Sequence, residues 1–219
     1  MDPAYVILSL AAAMLVAAFV YASVGHGGAS AYIAAMALAG IAPAELRPIA
    51  LVLNVLVSSI ATYKFWRAGH FRWRLLWPFA AVSIPFAYLG GAITLPGNLY
   101  KIVVGVVLVY AAWQLWRSGR AGEEMKVVRE PAIPLAMAIG AAMGLLSGLT
   151  GVGGGIFLSP LLLMLGWAGT KQTSAVAAPF ILVNSVAGLA AGFVAGTAVL
   201  PQSTWVLAEI GRASCRERV

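Results

Sequence analysis

The residues best placed to do chemistry in this chain carry almost no side chain. The stretch Ser147-Gly148-Leu149-Thr150-Gly151-Val152-Gly153-Gly154-Gly155 holds five glycines in nine positions, between two long apolar segments. Glycine costs roughly 1 kcal/mol relative to alanine at a helical position, so a helix is expected to break here. At membrane depth such a break survives only where protein covers it or where it lines a polar cavity. The chemistry it offers is anion binding. A helix N-terminus presents unpaired N–H groups and about half a positive charge, and glycine lets an oxyanion approach them closely.

The break occurs twice. Upstream lies Ser23-Val24-Gly25-His26-Gly27-Gly28-Ala29, and Gly25, Gly27 and Gly28 align with Gly151, Gly153 and Gly154 at a constant offset of 126 positions. The same offset pairs Gly40 with Gly166, Glu45 with Lys171, Ser58 with Asn184 and Ser59 with Ser185. Matching interruptions in two weakly similar halves point to a substrate site between repeats. The candidate binding residues are Gly25, His26, Gly27 and Gly28 from the first break, and Thr150, Gly151, Gly153, Gly154 and Gly155 from the second. Asn54, Ser58, Asn184 and Ser185 join them from the apolar helices that follow.

Each candidate has a plainer reading. The glycines also permit close helix packing, the better account for Gly140/Gly144/Gly148 and Gly188/Gly192/Gly196 at four-residue spacing. Asn54 and Asn184 are costly in hydrocarbon, so each must face protein or a cavity. Serines within such helices often bond their own helix's carbonyls. His26 has a charge that changes near neutral pH and would suit proton coupling, but a structural histidine is the stronger reading, and its counterpart is Val152. No Arg or Lys sits at mid-span to supply a full charge.

Catalytic constellations are missing. Ile156 stands where a dinucleotide fingerprint needs its third glycine, and no phosphate-loop lysine or His-Glu-x-x-His occurs. No acidic pair is placed for acid–base work. With one cysteine, Cys215, and two histidines, His26 and His70, no multi-cysteine or histidine-rich metal centre is expected, and no cofactor is implied.

The elements that must position these residues are membrane helices. Hydrophobic residues make up 62% of the 219 and charged residues 10%, against roughly 25% charged in soluble domains. Charge-free runs cover Pro3–Ala44, Leu75–Tyr100, Pro131–Thr170 and Gln172–Ala208. The net charge of +7 therefore reads as a positive-inside signal rather than nucleic-acid binding. Helices are expected at Ala4–Ser23, Ala29–Ile41, Leu46–Phe65, Leu75–Leu95, Lys101–Trp116, Ala132–Leu149, Ile156–Trp167 and Thr173–Ala195, with turns at residues 42–45 and around Lys171. The fold class is an all-α polytopic membrane protein. Its first transmembrane repeat spans residues 1–116, a cytoplasmic linker 117–131, and a second, incomplete repeat 132–208. Residues 209–219 read as an atypical, artefactual tail, and the chain as truncated. The basic loops 64–74 and 117–129 are placed in the cytoplasm, flanked by Trp66, Trp73, Trp77, Trp113 and Trp116 as an aromatic belt. If segments 29–41 and 156–167 cross the membrane, the repeats are inverted; if they re-enter, the repeats are parallel. Inversion is the favoured reading.

Ser-Val-Gly-His-Gly-Gly at 23–28, Gly-Leu-Thr-Gly-Val-Gly-Gly-Gly at 148–155, the polar helices behind them and the basic linker resemble the sulfite exporter TauE/SafE family over roughly Ala4–Leu200. The resemblance implies a cell-membrane exporter or permease of small anions, often sulfite or organosulfur compounds. Its partners would be the anion and the lipid bilayer, with a homo-oligomer left open. A passive anion channel, or a permease for another small solute, is the alternative, and an intramembrane enzyme ranks last.

Overall fold

The computed structural model describes residues 28–118 and 131–198. Within them lie seven helices: α1 Ala29–Leu38, α2 Pro43–Arg67, α3 Trp73–Ala92, α4 Gly97–Ser118, α5 Ile133–Thr150, α6 Gly155–Met164 and α7 Thr170–Val194. The expected span at Ala4–Ser23, the residues Gly25, His26 and Gly27, and the 209–219 tail lie outside the described residues. Among the described residues four helices are long and apolar enough to cross a membrane: Ala44–Arg67, Trp73–Ala92, Ile133–Thr150 and Thr170–Val194.

Local chemistry explains the boundaries. α2 starts at Pro43, inside the segment expected as a turn, because proline's fixed φ suits the first helical turn. Lys171 likewise falls in the first turn of α7, not in a loop. α5 stops at Gly151 with φ 82°, its N–H returned to Ser147 O at 2.8 Å. That left-handed cap is accessible to glycine without a Cβ penalty.

Glycine also sets how the long helices pack. A methyl group on Gly140 would stand 3.0 Å from Phe79 Cα; methyls on Gly144 and Gly148 would run into the carbonyls of Ser83 and Ala87. Both series advance by four residues, so one stripe of α5 lies backbone-to-backbone on one stripe of α3. On α3's other side, a methyl at Gly91 would come within 2.5 Å of Gly188 O on α7. Lipid gives no hydrophobic drive for helices to associate, so this close approach supplies the dispersion contact that holds α3 between α5 and α7. Gly196 was expected in the same packing role. It has φ 67° just past α7 and no described atom within 4 Å of a methyl there, so it ends a helix instead of packing one.

Two apolar clusters fill the interior. One joins Tyr32, Ile33 and Met36 of α1 to Ile49 and Leu53 of α2, Val104 of α4, and Val152 and Ile156. The other joins Phe79 of α3 and Met143 of α5 to Leu158 and Leu162 of α6 and Phe180 of α7. The short helix α6 is wedged between them. Outside, Leu38, Ile102, Val106, Val109 and Val194 are exposed, as lipid-facing residues are, while Trp66, Trp73 and Trp116 project beside the basic loops.

Candidate functional site: the covered helix break

Residues 150–156 are all buried, so the break between α5 and α6 is enclosed by protein rather than left in hydrocarbon. Its freed backbone groups are met by side chains from other helices. Tyr100 of α4 donates its hydroxyl to Thr150 O at 3.1 Å. Asn54 of α2 donates Nδ2 to Gly151 O at 3.3 Å. The Thr150 hydroxyl donates to Leu146 O at 2.6 Å and accepts the Val152 N–H at 3.3 Å. The carbonyl end of α5 is thereby closed off.

The N-terminal end of α6 is not. Gly153 and Gly154 are left-handed, with φ 82° and 76°, and Gly154 caps the helix without any side-chain hydrogen bond. Phe157 and Leu158 both donate to Gly154 O, which leaves the N–H groups of Gly155 and Ile156 ahead of the first helical bond. Around this end the polar side chains are buried and unpaired. Asn54 Oδ1, Ser147 Oγ and Ser185 Oγ have no hydrogen-bond partner among the described residues, and all three residues are 0% exposed. A methyl on Gly153 would stand 2.7 Å from Asn54 Nδ2, 2.8 Å from Ile181 Cγ2 and 3.2 Å from Ser185 Oγ. One on Gly154 would stand 3.5 Å from Ser147 Cβ. Side chains of three helices thus converge on one glycine turn, Asn54 and Ser185 with polar atoms. Buried polar atoms are normally satisfied, so several orphans around a helix N-terminus fit a polar ligand.

The sequence candidates fall into groups. Asn54, Gly153, Gly154, Gly155 and Ser185 come together. Gly151 and Thr150 lie on the carbonyl side and shape the turn. Ser58 is turned inward to its own helix, donating to Asn54 O at 2.5 Å. Asn184 donates Nδ2 to Phe180 O at 2.8 Å, leaving Oδ1 buried and unpartnered. Gly28 caps α1 with φ 74°, a methyl there meeting the Tyr32 ring at 2.9 Å.

Three residues of the site are not marked by the sequence: the capping Tyr100, Ser147 and Arg47. Ser147 lies inside the quoted motif but is not among the expected binding residues. Arg47 lies at the second position of the helix expected at Leu46–Phe65, and nothing local marks it for a role. It is 8% exposed, packs its backbone against Gly151, and donates to Ile93 O at 2.8 Å, to Gly91 O, and to Thr197 Oγ1 at 3.3 Å. It therefore ties the end of α3 to the end of α7 beside the break. Among the described residues no group of His, Cys, Asp and Glu is arranged to hold a metal ion.

A polytopic helical membrane protein with a broken helix covered by its neighbours is what this geometry defines. The profile of the sulfite exporter TauE/SafE family matches residues 10–211, and the chain belongs to that family of membrane transporters. It is 42% identical over 184 residues to the probable membrane transporter protein y4hK of Sinorhizobium fredii, a match covering 83% of this chain and 74% of that protein. No solved structure matches the chain.

Proposed function

We propose that the chain moves small anions, sulfite or organosulfonates, across the cell membrane, binding them near mid-membrane at the glycine breaks. The observation that carries this reading is the buried N-terminus of α6, bordered by the Asn54 amide nitrogen, the Ser147 side chain and the unpartnered Ser185 hydroxyl. The family name supports the sulfur oxyanion as substrate. Backbone N–H groups and hydroxyls hold an anion without a full countercharge, which favours release as well as capture.

A two-repeat organisation is part of the proposal. α1 and α6 are each ten residues long and begin 126 positions apart. Gly28 and Gly154 cap them with φ 74° and 76°, and Gly40 and Gly166 follow them with φ 77° and 66°. α6 packs chiefly against α7, and a segment that crosses is the reading adopted. On that reading the repeats are inverted, with loops 64–74 and 117–129 in the cytoplasm.

The test is a flux assay on protein reconstituted into vesicles, with a panel of anions, cations and neutral solutes. Saturable uptake of sulfite or a two-carbon sulfonate, with counterflow, is the expected result. Uptake of cations or neutral solutes alone would remove the anion site, and uptake without saturation or counterflow would make the protein a channel.

A further inference from the structure

About 20 Å along α2 from Asn54, the helix ends in a cluster of positive charge that no described carboxylate neutralises. We infer that the connection between α2 and α3 is a docking surface for anionic lipid headgroups, phosphodiesters such as phosphatidylglycerol, held by Arg67, Arg72 and Arg74. The inference rests only on the chain being a membrane protein and is independent of the anion site at the break.

α2 ends at Arg67 and α3 begins at Trp73, so the short connection 68–72 gathers the three arginines at one end of two consecutive helices. All three are exposed. Glu45 is the only carboxylate among the described residues, and it stands in the first turn of α2, about 33 Å before Arg67. No described carboxylate can therefore pair with these guanidinium groups. The linker 117–130 has little negative charge to lend, because its Glu123, Glu124 and Glu130 are outnumbered by its own Arg117, Arg120, Lys126 and Arg129.

The rings beside the arginines set their depth. Tyr63 and Trp66 at the end of α2 are exposed, as are Trp73 and Trp77 at the start of α3. Exposed Trp and Tyr at the ends of membrane spans settle at headgroup level. The Arg67 guanidinium lies 5.8 Å from the centre of the Tyr63 ring, and the Phe71 and Trp73 rings stand 6.3 Å apart, so the connection sits among the same aromatic groups. Cations at that depth meet lipid phosphates, and the guanidinium fork matches a phosphodiester's two free oxygens. The bias that orients a chain on insertion depends on the number of basic residues alone. Here their exposure, far from the one described carboxylate, leaves them open to a headgroup after folding.

The whole chain in neutral detergent is titrated with short-chain phosphatidylglycerol, with phosphatidylcholine of the same acyl chains, and with glycerol 3-phosphate, and its melting temperature is followed. Phosphatidylglycerol should raise it at roughly a hundredfold lower concentration than phosphatidylcholine, at about fivefold per basic residue. High salt should shrink that preference, and glycerol 3-phosphate should have no effect. Arg67→Gln, Arg72→Gln and Arg74→Gln should each raise the half-maximal phosphatidylglycerol concentration about fivefold, and the triple variant should abolish the preference. Lys101→Gln, near the start of α4 at the other end of the bundle, should respond as wild type. Equal responses to the two lipids, or a preference undiminished in the triple variant, would overturn the inference. An equal response to glycerol 3-phosphate would make the cluster a phosphate site and not a lipid surface. Indifference to lipid, with a lower melting temperature in the triple variant, would assign the arginines to carboxylates of the linker. The single variants alter exposed side chains, so they decide the matter if the triple variant fails to fold.

Discussion

Asn54 on α2 reaches Gly151 O across 97 positions of sequence and holds the carbonyl at which α5 ends. The same side chain stands against Gly153, where α6 is about to begin. One residue therefore fixes the end of one half-helix and borders the start of the next. Asn54→Ala should weaken both roles: kcat/KM for sulfite should fall about tenfold or more, since a hydrogen bond to a charged group is worth about 1.5–3 kcal/mol. Thermal melting in detergent should drop as well, because Gly151 O loses its donor. A variant with wild-type kinetics and melting would remove Asn54 from both roles.

Arg47 should act on stability. It offers fixed donors to the carbonyls of Gly91 and Ile93 and to Thr197. Arg47→Met should destabilise the folded protein by roughly 2–3 kcal/mol, since a buried and a part-buried carbonyl lose a charged donor at once. Arg47→Lys should recover only part of this, because a single ammonium cannot reproduce the guanidinium fork. Thr197→Val should cost under about 1 kcal/mol, being one neutral and long hydrogen bond. Melting temperatures of the three variants give the order, and full rescue by lysine would refute the fork geometry.

Gly144 and Gly105 form a matched pair. A methyl on Gly144 would run into the Ser83 backbone, whereas one on Gly105 meets no described atom within 4 Å. Gly144→Ala should lower stability by about 1–3 kcal/mol through overpacking. Gly105→Ala should raise it by up to about 1 kcal/mol through helix propensity. Equal yields and melting temperatures would mean that α3 and α5 do not approach as closely as described.

Orientation is tested by reporter fusions. Fusions at Gly69 and Gly122 should report the cytoplasm and a fusion at Gly97 the opposite side, from the positive-inside bias. A fusion at Gly169 should report the cytoplasm if α6 crosses the membrane, and the far side if it re-enters.

Much of this architecture was legible in the sequence, because charge-free runs and glycine clusters are local signals. The second break fell where Gly151, Gly153 and Gly154 foretold it, and the long helices ended within a few residues of expectation. The partners that cap the break were not legible. Tyr100 and Arg47 are neighbours of the break only through tertiary folding, and no local pattern marks them. Nor did composition separate Ser147 from Thr150, three residues apart in one motif. Thr150 bonds back to its own helix, whereas Ser147 Oγ has no partner among the described residues. Gly196 illustrates the same limit from the other side, since a four-residue spacing does not distinguish a packing glycine from one that ends a helix.

The central claim is that the unpartnered groups at the start of α6 are there for a ligand. Ser185→Ala tests it most directly, because that hydroxyl bonds nothing described in the structure. Removing an unsatisfied buried hydroxyl should leave the melting temperature unchanged or higher. If the hydroxyl meets the anion, the half-saturation concentration for sulfite uptake should rise about tenfold, and Ser147→Ala should behave likewise. The contrary result is wild-type uptake per folded molecule in both variants, which would leave the break as a packing device without a substrate.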